Sequence, residues 1–285
     1  MRPTQFIDMC FFKPLLIVKL VEVIKRGCCK QQLIEAVGRI NSFGALMNQK
    51  EIEHLDSFNP FYEKGDHMDE LMIEREIDII KRYDCEGKSA LEVGCGSGLS
   101  TEKLARLFRD LEVIEPSERN IELLQRRVPD VVCHKILLEN FKVQRKYDFV
   151  FFLNVIEHVE DPIASLTALS HLVKDEGLIF ISGPNCMSLN RRAGYKMGLL
   201  KSYDQMAPKD YEVGHRRLYT VDMLTDHCNQ AGLKVLSMKG MYLKPLSEVQ
   251  MIGLGEEVVR TFYALGEEVP HLCASLLAIA TKKYY

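Results

Sequence analysis

From Lys88 onward the chain alternates short, nearly continuous apolar runs with longer amphipathic stretches. "SALEVG", "LEVIEP", "VVCHKI", "YDFVFFLN" and "GLIFISGP" come in succession. A strand that is apolar at every position has to be covered on both faces, and strands separated by whole helices do not pair as hairpins. The pattern therefore predicts parallel strands joined by crossover helices. Two further runs, "GLKVLSMKG" and the apolar part of "HLCASLLAIATKK", flank a helix expected around Ser247 to Gly266. The expected architecture is an α/β fold with a seven-stranded, mostly parallel sheet and helices on both faces.

Ahead of the sheet, residues up to about Phe58 read as helical. "SFNPFYEKGDH" then supplies the breakers Pro60 and Gly65 before a second helix, "MDELMIEREIDIIKRY". We expect a helical N-terminal cap over 1–83 and a ligand-binding domain over 84–285, with substrate loops at 183–217. "FFKPLLIVKLVEVIK" is interrupted by Lys13, Pro14, Lys19 and Glu22, which argues against a membrane span or a secretory signal. Leu16, Leu20, Val23 and Ile24 instead form a helical stripe, suited to core packing or to the contact face of a homodimer. A net charge of −3 and nine cysteines without metal-knuckle spacing fit a cytoplasmic protein with reduced thiols and no broad field for nucleic acid.

The first apolar run ends in "LEVGCGSG". Gly94, Gly96 and Gly98 lie where a strand gives way to a helix, so backbone there can approach a ligand and leave amides free to bind it. The spacing is G-x-G-x-G, not the dinucleotide fingerprint, and no Walker lysine follows. Glu92, at the strand end, would repel a pyrophosphate but favour a ligand carrying an ammonium and a sulfonium. Glu115 closes the next strand, where a carboxylate can accept both ribose hydroxyls. Together they describe a nucleoside with positive charge.

These residues resemble the S-adenosyl-L-methionine site of class I methyltransferases, and the similarity runs from about Ala90 through the rest of the chain. The group it most resembles is that of the ubiquinone-biosynthesis O-methyltransferases. The resemblance implies a Rossmann-like fold in which Glu92, Gly94, Gly96 and Gly98 wrap the methionine end and Glu115 holds the ribose. Cys95 fills space within the loop. Pro116 and Ser117 would border the adenine, with Leu138 and Glu139 after the third strand and Leu153 and Asn154 after the fourth completing the lining.

"NVIEH" spaces Asn154, Glu157 and His158 at i, i+3 and i+4, one face of a helical turn. The segment looks like the E-x-x-E-H of ubiquinone-biosynthesis and small-RNA 2′-O-methyltransferases, where carboxylates and histidine bind a divalent metal. Asn154 stands where the first glutamate would be, and an amide is the weaker ligand for a hard cation. Two uses stay open for Glu157 and His158: metal binding, or lining of the cofactor site. His215 matches the downstream histidine that completes the metal site in the RNA-methylating group. Without metal the same imidazole suits a general base. Thr220 reads as the N-cap of the helix that follows.

Asn185, Asn190, Arg191, Arg192 and Arg216 are candidates for contacting a polar substrate, and Tyr62 and His67 for lining its entrance. The expected activity is O-methylation of a small polar metabolite. RNA 2′-O-methylation, peptide or protein methylation, and a noncatalytic cofactor-binding scaffold are the alternatives.

Overall fold

The structure is a computed structural model that describes residues 49–57, 67–142, 145–247, 250–251 and 253–283. The chain divides into two compact units, Met1–His54 and Leu55–Tyr285. In the first, residues 49–54 are helical, and the Gln49 amide donates to Glu53 (3.1 Å). The expected stripe from Leu16 to Ile24 lies outside the described residues, as does the homodimer contact proposed on it.

The second unit carries a seven-stranded sheet: β1 (Ser89–Val93), β2 (Asp110–Ile114), β3 (Val132–His134), β4 (Tyr147–Leu153), β5 (Val173–Pro184), β6 (Leu233–Gly240) and β7 (Ser275–Lys282). Their spatial order is β3-β2-β1-β4-β5-β7-β6. The first five are parallel to one another, and β7 runs antiparallel to both β5 and β6. All five residues of β1 are buried, Ser89 and Glu92 among them, which is why the run does not alternate between apolar and polar.

Helices cover both faces. They are α1 (His67–Ile80), α2 (Leu99–Leu104), α3 (Glu118–Arg127), α4 (Pro162–Leu172), α5 (Leu189–Lys196), α6 (Pro208–Glu212), α7 (Val221–Gln230) and α8 (Glu256–Leu265). Starts are fixed locally: Asp161 accepts from the Ala164 amide (2.9 Å) with Pro162 opening α4, and Thr220 caps α7 through the Met223 amide (3.1 Å), as its sequence predicts. Among the described residues no helix is long and apolar enough to cross a membrane.

Two expectations need correction. The helix of "MDELMIEREIDIIKRY" belongs with the sheet, because Ile77, Ile79 and Ile80 of α1 pack in one core cluster with Phe108, Phe149, Phe151 and Phe180. The compact unit accordingly begins at Leu55, not after Tyr83. The helix expected from Ser247 to Gly266 is interrupted: residues 250–251 are helical, and α8 begins only at Glu256, after Gly255 takes a left-handed φ of 93°.

Candidate active site at the carboxyl edge of the sheet

The strand order reverses between β1 and β4. Crossovers leave those two strands toward opposite faces, and the crevice beyond their carboxyl ends is where open α/β sheets take ligands. The loop after β1 turns there with φ of 77° at Gly94 and 81° at Gly98. A Cβ added to Gly94 would lie 2.7 Å from a Val155 methyl carbon, and one on Gly98 would lie 3.1 Å from Leu124 Cα. The loop thus wedges between the turn after β4 and helix α3, and neither position accommodates a side chain.

Glu115 ties this loop to the next strand. Its Oε2 accepts the Cys95 amide (3.1 Å) and its Oε1 the Ser117 amide (2.9 Å), leaving lone pairs on a carboxylate that can accept about four hydrogen bonds. Burial pushes its pKa up, while those amides pull it down. Cys95 is buried and its thiol is pushed well up by burial and the nearby carboxylates, so it fills space and is no nucleophile. Ser117 is engaged as the N-cap of α3, accepting the Asn120 amide (3.2 Å), and half-buried Pro116 lies beside it. Leu138 and Leu153 pack in the two main core clusters, and exposed Glu139 accepts the Ser165 hydroxyl (3.2 Å).

Glu92 departs from its expected surroundings. One oxygen accepts the Ser100 hydroxyl and the other the Thr101 hydroxyl, so the carboxylate locks the start of α2 behind the glycine loop. It is one of four buried carboxyls near the crevice, with Glu76, Glu115 and Glu157. Burial pushes Glu76 up to about 8 and both Glu92 and Glu157 up to about 7. Each holds its proton more tightly folded than unfolded, so folding takes up protons between the ordinary carboxyl range and those values. The associated stability is present at low pH and lost as pH rises through 7 to 8. Each pKa unit is worth about 1.4 kcal/mol, and Tm moves by roughly 2–4 °C per kcal/mol. The Tm of the ligand-free protein is expected to fall by about 5 °C or more between roughly pH 6 and pH 8.5. Glu92→Gln should shrink that fall; an unchanged slope in a thermal scan counts against the assignment.

Asn154, Glu157 and His158 sit in an irregular turn, not on the helical turn that their spacing predicts. Asn154 takes φ of 53°, a left-handed conformation that asparagine tolerates better than glutamate. Its backbone amide donates to the Ser182 hydroxyl (3.0 Å) and its carboxamide to Glu76 Oε1 (3.4 Å), which separates it from the other two. Glu157 and His158 instead meet His215. Ligand atoms of these three residues all lie within 4.8 Å of one another, and the two imidazoles are 5.0 Å apart between centroids.

His215 arrives from far along the chain because the end of β5 continues into a short parallel bridge between Asn185 and Tyr219. The Arg216 amide then donates to the Glu157 carbonyl (2.9 Å). His215 Nδ1 stands 3.2 Å from Asp210 Oδ1, and Nε2 is 3.9 Å from Glu157 Oε1. Burial by itself would lower the His215 pKa, but the Asp210 hydrogen bond and the charges of Glu157 and Asp210 hold it above the ordinary value. His158 Nδ1 faces the Gly214 carbonyl (3.3 Å), to which it donates. Glu157 Oε2 has no hydrogen-bond partner among the described residues.

Several expected substrate contacts are absorbed by the fold. The Asn185 amide donates to the Cys273 carbonyl (2.8 Å) and its oxygen accepts the Met187 amide (2.9 Å), so the buried side chain braces a turn. Arg191 donates to the Tyr203 carbonyl (3.0 Å) and the Gln205 carbonyl, and stands 3.8 Å from Asp210. It therefore supports the residue that holds His215 and does not present a free guanidinium. Asn190 and Arg192 lie on α5, Asn190 with its backbone amide bonded to the Lys244 carbonyl (3.1 Å). Tyr62 lies outside the described residues, and His67 is described only as the first residue of α1.

Sequence reading passed over Asp210, Arg217 and Glu76. Arg217, beside the expected Arg216, donates to the carbonyls of Ile156, Val159 and Glu160 (3.0 Å for the last) and clamps the turn that carries Glu157 and His158. Glu76 occupies the stripe Ile73, Glu76, Ile77, Ile80 of α1. A charged residue on an apolar helical stripe was the available signal.

This sheet order, with a glycine loop after β1 and a buried acid after β2, defines a cofactor-dependent transferase of the S-adenosylmethionine class. The chain belongs to the methyltransferase-domain family, whose sequence profile matches residues 67–238, more than half its length, and it is an S-adenosylmethionine-dependent methyltransferase. A ubiquinone biosynthesis O-methyltransferase of Cereibacter sphaeroides is 29% identical over 187 residues, 63% of this chain and 73% of that one. A SAM-dependent methyltransferase of Thermotoga maritima has a TM-score of 0.56 at 18% identity, covering 81% of this chain and 100% of that one. Plantazolicin methyltransferase, crystallised with S-adenosylhomocysteine, has a TM-score of 0.55 at 17% identity, covering 85% and 99%. At those identities the two structures establish the common fold.

Proposed function

We propose that this enzyme transfers the S-adenosylmethionine methyl group to a hydroxyl oxygen of a small polar acceptor, a hydroxylated ring being the favoured class. The observation that carries the reading is the meeting of Glu157, His158 and His215 at the carboxyl edge of β4 and β5. The O-methyltransferases among its relatives support the same chemistry. The glycine loop with Gly94, Gly96 and Gly98 cradles the methionine end, and Glu115 accepts the ribose hydroxyls. Unbridged thiols at all six described cysteines are in keeping with a reducing, cytoplasmic setting.

A sulfonium methyl is already electrophilic, so the protein's task is to align the acceptor, exclude water and deal with the hydroxyl proton. Neutral His215 carries its proton on Nδ1, donated to Asp210, and keeps Nε2 basic toward Glu157. His158, donating Nδ1–H to Gly214, has its basic nitrogen as Nε2. Two imidazoles and a carboxylate with one unpartnered oxygen, all within 4.8 Å, also fit a divalent cation of the kind that imidazole suits. Such an ion, when bound, lowers the pKa of a coordinated hydroxyl. Glu157, His158 and His215 would hold it, and Arg217 and Asp210 orient them.

The test is release of S-adenosylhomocysteine with a panel of hydroxylated aromatic acceptors, their O-methyl ethers and matched amines, before and after chelation. Turnover confined to acceptors with a free hydroxyl supports the reading. Methyl transfer to amines alone overturns it.

A further inference from the structure

We propose that Glu76, on helix α1 and outside the glycine loop, is a cofactor-binding residue whose carboxylate receives the ammonium group of the methionine moiety of S-adenosylmethionine. The inference rests on the reading of the β1–α2 loop as the cradle for that moiety. Glu76 is fully buried, with the Ser182 hydroxyl and the Asn154 carboxamide (3.4 Å to Oε1) as its donors, and its Oε2 has no hydrogen-bond partner among the described residues. A buried carboxyl oxygen without a partner costs free energy in the empty site, and the ionised form, disfavoured there by burial, gains most from a cationic donor.

The charged groups that act on Glu76 are themselves acids, Glu157 and Glu92. Glu92 has each oxygen engaged by a hydroxyl of α2, through Ser100 and Thr101. Glu76 and Glu157 each keep one oxygen without a partner, but Glu157 is turned toward His215, which leaves Glu76 as the acid at this edge for a nitrogen cation. Its position agrees with that use. Asn154, which it touches, directly follows β4, and the next residue, Val155, packs against Gly94 of the loop. Glu76 thus stands at the junction of β1 and β4, where the strand order reverses and ligand is expected.

Of the two positive groups on the cofactor, the ammonium is the one this carboxylate suits. The ammonium offers three N–H donors to an oxygen that lacks one, whereas the sulfonium offers none and must stay accessible to the incoming acceptor.

The experiment compares calorimetric affinities of wild type, Glu76→Gln and Glu76→Asp for two ligands: S-adenosylhomocysteine and its analogue lacking the α-amino group. Truncating one partner of a buried charge pair costs enough to weaken binding on the order of tenfold to a hundredfold. Glu76→Gln should lose at least about tenfold for S-adenosylhomocysteine and less than about twofold for the deamino analogue. Glu76→Asp, which keeps the charge, should retain part of the preference for the amino-bearing ligand. Equal weakening of both ligands by Glu76→Gln, or weakening of neither, overturns the proposal. Failure of the wild type to bind S-adenosylhomocysteine would instead count against the cradle itself, so the two failures are distinguishable.

Discussion

Gly94→Ala is expected to weaken S-adenosylhomocysteine binding about a hundredfold in a calorimetric titration. Two costs combine. A non-glycine residue held in the left-handed region loses roughly 1–2 kcal/mol, and Gly94 has φ of 77°. The added Cβ would also stand 2.7 Å from Val155, well inside contact distance. The loop relieves both by leaving its present path, and the amides it offers a ligand leave with it. About 3 kcal/mol in total corresponds to roughly two decades of affinity. Combining Gly94→Ala with Val155→Ala removes the overlap but not the backbone strain, so it should recover only about one of those decades. Wild-type affinity in the single variant would mean that this loop does not cradle the cofactor.

The second large effect is on turnover. His215→Ala is expected to lower kcat by on the order of a thousandfold, within the usual range for a residue handling the acceptor proton, while leaving affinity for S-adenosylhomocysteine within about twofold. Whether the imidazole acts as base or as ligand, it must be unprotonated to serve, so rate should rise with pH through its pKa. That value is held up by the Asp210 hydrogen bond and by the charges of Glu157 and Asp210, against the lowering effect of burial. Asp210→Asn takes away one charge, so the acid limb of the pH–rate profile should move to lower pH. Unchanged turnover in His215→Ala on the true acceptor removes His215 from the mechanism.

The parts of this molecule legible in its sequence are those set by local chemistry. The central strands β1, β4 and β5 are readable because buried parallel strands are apolar at nearly every position, and the glycine loop because left-handed backbone demands glycine. The cluster of Glu157, His158 and His215 was nameable residue by residue through family resemblance. What escaped depends on contacts between distant segments. Nothing local distinguishes Arg217, which clamps three carbonyls, from Arg216 beside it. Arg191 looked like an anion binder until Tyr203 and Gln205 took its donors. Glu92 looked like the cofactor's counter-charge, yet its oxygens meet Ser100 and Thr101, eight and nine residues on, hydroxyls that resemble ordinary helix-start residues. Glu76 was masked by its isoleucine neighbours, whose periodicity announces a core face and hides the one acid set into it.

The position of β7 bears on how this chain is made. It is the last of the seven strands in sequence, yet it is inserted between β5 and β6 and bonded to both. A ribosome emitting the chain in order exposes β5 with an open edge long before its partner exists, and β6 finds no neighbour at all until residues 275–282 emerge. Parallel pairing of β1 to β5 can proceed during synthesis, whereas the antiparallel corner must wait for its middle member. The interval leaves apolar strand edges unprotected, which is the condition under which nascent chains associate with one another. Stretching that interval by slowing translation between β6 and β7 is thus the step at which soluble yield would be most sensitive.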